Sequence, residues 1–281
     1  MSTGADPLRA ALPALRCPHC AAALARGDDG PLRCENGHAF DVARQGYVNL
    51  LDHRPRRPDT AEMVAARAAF LGAGHFAPIE AAIADAAGAV TAGGMLLDLG
   101  AGIGSYAAAA LERMPGQIGI ALDTSKPALQ RAARAHPRLA AVGADVTGPL
   151  PLVDGAVALA LDVFAPRNGA EYARVLAPGG TLVVVYSTTS HQRELVARLG
   201  LLTVDNLKEE RLDKQLGRWL RRVDSVPLEW TMTLDPGAVR ALVGMGPTAH
   251  HPDADRATRL AALAEPLAVT ASVTVARYVP R

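Results

Sequence analysis

The sequence predicts an α/β chain in which a Rossmann-like parallel-sheet domain follows a small N-terminal metal ribbon. Short apolar runs alternate with helical stretches from about Met95 onward. A glycine-rich turn, Gly100-Ala101-Gly102-Ile103-Gly104, closes the first of those runs, and all three cysteines fall within residues 17–34. Strand, helix and strand at this spacing mean βαβ units and a parallel sheet.

Length and composition agree with one main domain plus an appendage, since 281 residues are too many for a minimal domain and too few for two large ones. With 49% hydrophobic and 20% charged residues, the chain can bury a sizeable core. A formal net charge of +1 excludes a global basic field, so any nucleic-acid contact must come from local patches. No apolar run approaches the roughly 18 residues needed to cross a bilayer, and the N-terminus lacks a secretory apolar stretch. A cytoplasmic protein is expected, with no membrane partner and with its thiols kept reduced.

Residues 1–16 read as a polar, proline-containing lead-in expected to be loose. Residues 17–52 form the cysteine module, residues 53–60 a basic, proline-rich linker, and residues 61–281 the main domain. Asp59 and Glu62 have capping-box spacing, with Met63, Ala66, Phe70 and Leu71 following at helical intervals. Strands are expected at Met95–Leu99, 117–122, 140–142, 156–161 and 181–186, with helices at 106–114 and 125–135 between them. In the tail, 228–234 alternates as a strand, 235–243 is helical, and 269–278 reads as a final antiparallel pair.

The loop after the first strand carries the chemistry. Its glycines permit positive φ and close backbone approach, and the helix beyond supplies free N–H donors. Dinucleotide dehydrogenases use a similar turn, so the loop alone is ambiguous. Three further features resolve it: Asp98 gives the form D-x-G-x-G-x-G, Asp123 ends the next strand where a carboxylate can accept both ribose hydroxyls, and Pro178-Gly179-Gly180 precedes an apolar strand. Together they imply S-adenosylmethionine and a class I methyltransferase domain, with Asp98, Gly100, Gly102, Ile103, Gly104 and Asp123 as cofactor residues. Asp145 stands where an acid would meet the adenine edge, and equally where a strand-end Asp would be solvated. Asp162-Val163-Phe164-Ala165-Pro166 ends the fourth strand, on the substrate side of this fold. Phe164 suits stacking on a flat substrate as well as it suits the core.

Cys17-Pro18-His19-Cys20 and Cys34-Glu35-Asn36-Gly37-His38 form a C-x2-C and C-x3-H pair of knuckles separated by 13 residues. Four soft or borderline ligands in a reducing compartment match a closed tetrahedral zinc site. A full set of protein ligands, Cys17, Cys20, Cys34 and His38, leaves no open position, so the zinc is structural. His19 is set aside because its adjacency to Cys20 strains the geometry.

These residues together resemble the RlmA family of 23S rRNA (guanine-N1)-methyltransferases, in its Gram-positive branch. The likeness runs through the knuckles, Gly37-His38-Ala39-Phe40-Asp41, Gly46-Tyr47-Val48-Asn49-Leu50-Leu51, Glu62-Met63, Arg67-Ala68-Ala69-Phe70-Leu71, Ala73-Gly74-His75-Phe76, the loop, Asp123-Thr124-Ser125-Lys126 and Ala165-Pro166. It covers residues 17–195 well and the tail loosely. The resemblance implies a ribbon that recognises RNA and methyl transfer to N1 of a guanine in a 23S rRNA hairpin loop at the peptide exit tunnel, at position 748 in preference to 745. Resistance to macrolides such as tylosin is an accompanying role, and the oligomeric state stays open, with a homodimer as one candidate. The resemblance also carries cofactor contact onto Gly102–Ile103, onto His75 and Phe76, and onto His191; the two histidines also have bland readings as a helix-end and a surface residue. Family members vary where Asp162 stands, so no catalytic role is inherited there. Before His191 this chain has Thr188-Thr189-Ser190 in place of a Pro-Gly-rich turn.

Guanine N1 carries a proton with a pKa of roughly 9, which must be removed or shared as N1 attacks the methyl group. Asp162 and a water near His191 are the candidate acceptors, with Phe164 a stacking candidate. Phosphate contacts are expected from Arg54–Arg57 and from residues 208–222, within a segment (191–223) that holds eight Lys or Arg against five acids. A small-molecule methyltransferase would share the loop but needs no zinc ribbon. An RNA-binding ribbon on an inactive fold would not need the intact loop and Asp123.

Overall fold

A computed structural model describes residues 6–28, 30–52, 57–201, 208–251 and 253–281. In chain order its elements are α1 (Pro7–Ala11), the short strands β1 (Ala25–Arg26), β2 (Leu32–Arg33), β3 (Ala39–Phe40) and β4 (Val48–Asn49), then α2 (Ala61–Gly72) and α3 (Ala77–Gly88). The alternating region follows as β5 (Met95–Leu99), α4 (Ser105–Glu112), β6 (Gly119–Asp123), α5 (Lys126–Ala132), β7 (Leu139–Gly143), β8 (Val157–Val163), α6 (Gly169–Val175) and β9 (Leu176–Ser187). The tail holds α7 (Arg193–Leu199), α8 (Lys208–Leu216), β10 (Leu220–Leu234), α9 (Pro236–Met245), α10 (Ala254–Ala261) and β11 (Leu267–Pro280).

The main sheet has the order β10-β11-β9-β8-β5-β6-β7-β4. From β4 to β9 neighbouring strands run parallel; β11 is antiparallel to β9, and β10 to β11. The strands β5 to β8 read as near-continuous apolar runs because both faces are covered. From β5 the chain winds to β6 and β7, then returns to pair β8 on the other side of β5. The crevice between the C-terminal ends of β5 and β8 is therefore the topological switch point, where such sheets bind ligands.

Two departures from the sequence expectations matter. Residues 269–278 belong to one long strand, β11, whose antiparallel partners are β9 and a β10 that starts eight residues earlier than the alternation suggests. The reason is that β10 is an edge strand with exposed residues along most of its first half, so that half shows little apolar patterning.

The lead-in, from residue 6, is packed rather than loose. Asp6 caps α1 by accepting the Leu8 N–H at 3.0 Å, and Leu8 and Ala11 are buried in the same cluster as Ile120 of β6 and Val142 of β7. No helix lies between β7 and β8, so α1 covers the sheet face that a crossover helix would otherwise cover. At the other edge of the module, β4 pairs in parallel with β7, Val48 opposite Val142 and Asn49 opposite Gly143. The cysteine module and the main domain thus share one sheet and one core.

Candidate cofactor and metal sites

The metal site is built by two knuckles on the three-stranded sheet β1-β2-β3. In the second knuckle Cys34 N–H donates to the His38 carbonyl and Gly37 N–H to the Cys34 carbonyl, each at 3.1 Å. Gly37 adopts φ +83°, which a side chain would strain and which turns His38 back toward the cysteines. Cys17, Cys20, Cys34 and His38 bring their ligand atoms within 4.8 Å of one another. His38 Nδ1 lies 3.5 Å from Cys17 Sγ and 3.4 Å from Cys34 Sγ, and the Cys20 and Cys34 sulfurs are 3.7 Å apart. A tetrahedron with zinc bonds of about 2.0–2.3 Å has edges of about 3.3–3.8 Å, which these three separations match, so the donor set fits Zn2+. Asn36 Nδ2 donates to Cys20 Sγ at 3.3 Å and pulls that thiol down to about 6, whereas burial pushes Cys17 up. His19 stacks on Phe40 instead and is outside the cluster.

The cofactor loop sits at the switch point. Gly100, Gly102 and Gly104 all have positive φ, at +71°, +55° and +80°. What a side chain would meet differs among them. At Gly100 a Cβ would lie 2.9 Å from Ala165 Cβ, and at Gly104 3.0 Å from Leu139 and 3.3 Å from the Ala132 backbone. These two glycines serve close packing of the protein on itself. At Gly102 the neighbour is the far end of the Arg67 side chain, 3.3 Å away, which can move. Gly102 is therefore where the loop can receive a ligand against its backbone.

Asp123 accepts N–H groups from Gly102 and Ser125, both at 2.8 Å, one on each carboxylate oxygen. Each oxygen keeps a lone pair, the pattern a vicinal diol needs. Asp98 is 1% exposed, and its Oδ2 has no hydrogen-bond partner among the described residues. Burial, reinforced by the Asp123 and Asp162 charges and opposed by a backbone hydrogen bond at Ala107, pushes its carboxyl up to about 7. The glycine cradle, the paired Asp123 oxygens and this orphaned buried acid fit S-adenosylmethionine.

Around the crevice the structure gathers aromatic residues that the sequence holds far apart. Phe76 is buried edge-on to Phe70 and Trp230, with ring centroids 6.3 Å from Phe164 and 6.1 Å from His191. Phe164 and His191 are also 6.1 Å apart. Phe164 is 40% exposed and held at φ +58°, a conformation rare for a bulky side chain and frequent at functional sites. Ser272 N–H donates to His191 Nδ1 at 3.1 Å, and the Gln192 side-chain amide lies 3.0 Å from His191 Nε2, so both ring nitrogens are engaged within the chain. Trp230 was not singled out in the sequence; its signal was a tryptophan in an alternating strand, which core packing explains equally well. Its indole donates to the His75 carbonyl at 3.1 Å, and the His75 ring packs on Phe70 rather than toward Phe164.

Several candidates are placed apart from this group. Asp162 is fully buried and accepts from Tyr172 Oη at 2.9 Å, tying α6 to the end of β8. Asp145 is engaged in its own turn, accepting the Thr147 N–H at 2.9 Å and its hydroxyl at 2.7 Å. In the tail segment Arg222 pairs with Glu209 at 2.6 Å and with Asp213, so it is neutralised within the chain. Residues 53–56, with Arg54 and Arg56, lie outside the described residues. The helix at Ala61 is capped by the Thr60 hydroxyl, which accepts from Met63 N–H, not by Asp59.

A doubly wound sheet whose switch point holds a D-x-G-x-G-x-G loop, with both Asp123 oxygens presented at the next strand end, defines an S-adenosylmethionine-dependent methyltransferase, here carrying a zinc ribbon. Comparison with known proteins makes this specific. Residues 15–55 match the family model for the N-terminal zinc ribbon of RlmA. The 23S rRNA (guanine(748)-N(1))-methyltransferase of Streptomyces fradiae is 51% identical, over 92% of this chain and 94% of its own length. A Micromonospora griseorubida protein assigned as a 23S rRNA guanine-N1 methyltransferase is 49% identical over 96% and 98%. The chain belongs to the RlmA-type family of 23S rRNA (guanine-N1)-methyltransferases. Among solved structures, a Bacillus halodurans protein assigned as a methyltransferase aligns with a TM-score of 0.50 at 14% identity, over 71% of this chain and 97% of that one. A chain from a Haloferax volcanii complex of a methyltransferase and its activator also gives 0.50, at 20% identity, over 80% and 99%. Both show the fold alone.

Proposed function

We propose that this protein methylates N1 of a guanine in a 23S rRNA hairpin loop lining the peptide exit tunnel, at position 748 in preference to 745, in the cytoplasm. Resistance to a macrolide such as tylosin would follow from the added methyl group. The observation that carries this reading is the aromatic mouth of Phe76, Phe164, Trp230 and His191 beside the Gly100–Gly104 loop, in a chain whose zinc ribbon shares the catalytic sheet.

Bound S-adenosylmethionine supplies an electrophilic methyl group; the chain's own residues supply the rest. A loop guanine unstacks at less cost than a paired one, and Phe164, exposed and fixed by its backbone, offers a face for it to stack on. Losing the N1 proton shifts negative charge toward the guanine O6. His191 borders Phe164 and would donate there only by giving up its contact with the Gln192 amide. Because Asp162 is buried against Tyr172, the N1 proton passes to water rather than to that carboxylate. Asp98, Gly100, Gly102, Ile103, Gly104 and Asp123 are proposed to hold the cofactor, with Phe76 packing beside it and Cys17, Cys20, Cys34 and His38 holding the zinc. His75 and Asp145 are proposed as outer contacts through their backbone and turn.

Primer extension across 23S rRNA from cells with and without the gene tests this, because an N1-methylguanine blocks reverse transcriptase. A new stop at position 748 is expected. If no stop appears and purified protein transfers no labelled methyl group to rRNA, the reading fails in favour of a small-molecule acceptor.

A further inference from the structure

One group at the cofactor loop is left unexplained by packing. Arg67 of α2 lies over Gly102, with its side chain 23% exposed, and pairs with Asp59, which is also 23% exposed. Both ends of the pair are anchored from behind. Arg67 Nη2 donates to the Met245 carbonyl at 2.9 Å, and the Asp59 carbonyl accepts from the Ser125 hydroxyl at 2.7 Å. Ser125 is the residue whose N–H also binds Asp123, so Asp59 is fixed to the turn that carries the diol-accepting acid. His250 stands 3.8 Å from the other Asp59 oxygen.

We propose that Arg67 and Asp59 are the receptor for the amino-acid end of the cofactor, Arg67 taking its α-carboxylate and Asp59 its α-ammonium. An internal pair of one cation and one anion has the charge complement of a zwitterion. Opening it to admit one exchanges a single ion pair for two and leaves no charge unpaired, so the desolvation of each charge is offset by a partner. The location follows from Gly102 being the loop position whose open side is filled only by a movable side chain. The neighbouring acid Asp98, at 1% exposure, lies behind the loop, which leaves the more exposed Asp59 as the acid on its open side. The assignment rests on S-adenosylmethionine being the cofactor.

Calorimetric titration of the full-length protein separates the parts, using S-adenosylhomocysteine and 5′-methylthioadenosine, which lacks the amino-acid end. Arg67→Gln is expected to weaken S-adenosylhomocysteine about 10- to 100-fold, the range for one charge-assisted hydrogen-bonded contact, while methylthioadenosine changes less than about twofold. Asp59→Asn should show the same selectivity with a smaller loss. Arg67→Lys, which keeps the charge, should lose less than the glutamine variant. If Arg67→Gln is insoluble, the lysine variant decides the matter by whether its loss is confined to S-adenosylhomocysteine. Unchanged or tighter binding of S-adenosylhomocysteine by Arg67→Gln would show the pair to be only a latch, and an equal loss for both ligands would show it to be only a brace; either overturns the proposal. Wild-type protein that binds neither nucleoside overturns the cofactor assignment itself, and this inference with it.

Discussion

The zinc cluster and the cofactor mouth are both assembled around short glycine turns, yet they stand in opposite states. In the cluster, four donor atoms converge on one point, with three of their separations at tetrahedral spacing. In the mouth, the ligand-facing groups are turned on one another: Gly102 N–H on Asp123, Arg67 on Asp59. A structural site gains from being complete whenever the chain is folded. A site that must take up and release a cofactor on every turnover gains from exchangeable internal partners that keep its charges paired between turnovers.

The largest test of this contrast is Cys34→Ser. Cys17 and Cys34 belong to the same buried cluster as Leu97, Leu122 and Val142 of the catalytic sheet. Loss of the metal should therefore destabilise the whole chain. Zinc stoichiometry should fall to near zero and the Tm of the main transition by roughly 10 °C or more, read by calorimetry. A main transition unmoved by zinc loss would make the two regions independent.

Leu8→Ala probes the same junction from the lead-in. Leu8 is 1% exposed beneath the sheet, so its truncation should cost about 2–5 kcal/mol in denaturant unfolding without altering zinc content. No change in the unfolding midpoint would mean that α1 does not cover the sheet in solution.

The smallest expected effect concerns the mouth. The folded Asp98 carboxyl titrates near 7, well above its unfolded value, so the folded state binds the extra proton between pH 4 and pH 7. Wild-type stability from this group is present at low pH and is lost as pH rises through 7. Asp98→Asn has no such proton to lose. Its stability relative to wild type should rise from pH 5 to pH 8, reaching about 1–3 kcal/mol, the cost of one unsatisfied buried group. A difference in Tm that is flat with pH would remove Asp98 as a buried, proton-holding acid.

Much of the architecture was legible because it repeats locally. The five central strands fall where the apolar runs place them, with Met95–Leu99 matched at both ends and the others within a few residues, since buried parallel strands need continuous apolar sequence. The cluster of Cys17, Cys20, Cys34 and His38 was legible for the same reason: knuckle geometry fixes the spacing within four or five residues. The lead-in was misjudged because a five-residue helix has too few positions to show a period, and its burial depends on the missing crossover helix between β7 and β8. The edge strand β10 was half missed because solvent on most of its first half removes the alternation.

The sequence by itself determined the ligand atoms, the glycine loop and the parallel core, because each depends on neighbours a few residues apart whose chemistry is strong and directional. Only the tertiary structure decided what surrounds them. Phe76, Phe164, His191 and Trp230 are up to 154 residues apart in the chain and meet at one crevice, and Arg67 reaches Met245 across 178 residues. Such contacts arise from packing of whole elements, whose energy is spread over many apolar side chains and leaves no signature at any one of them.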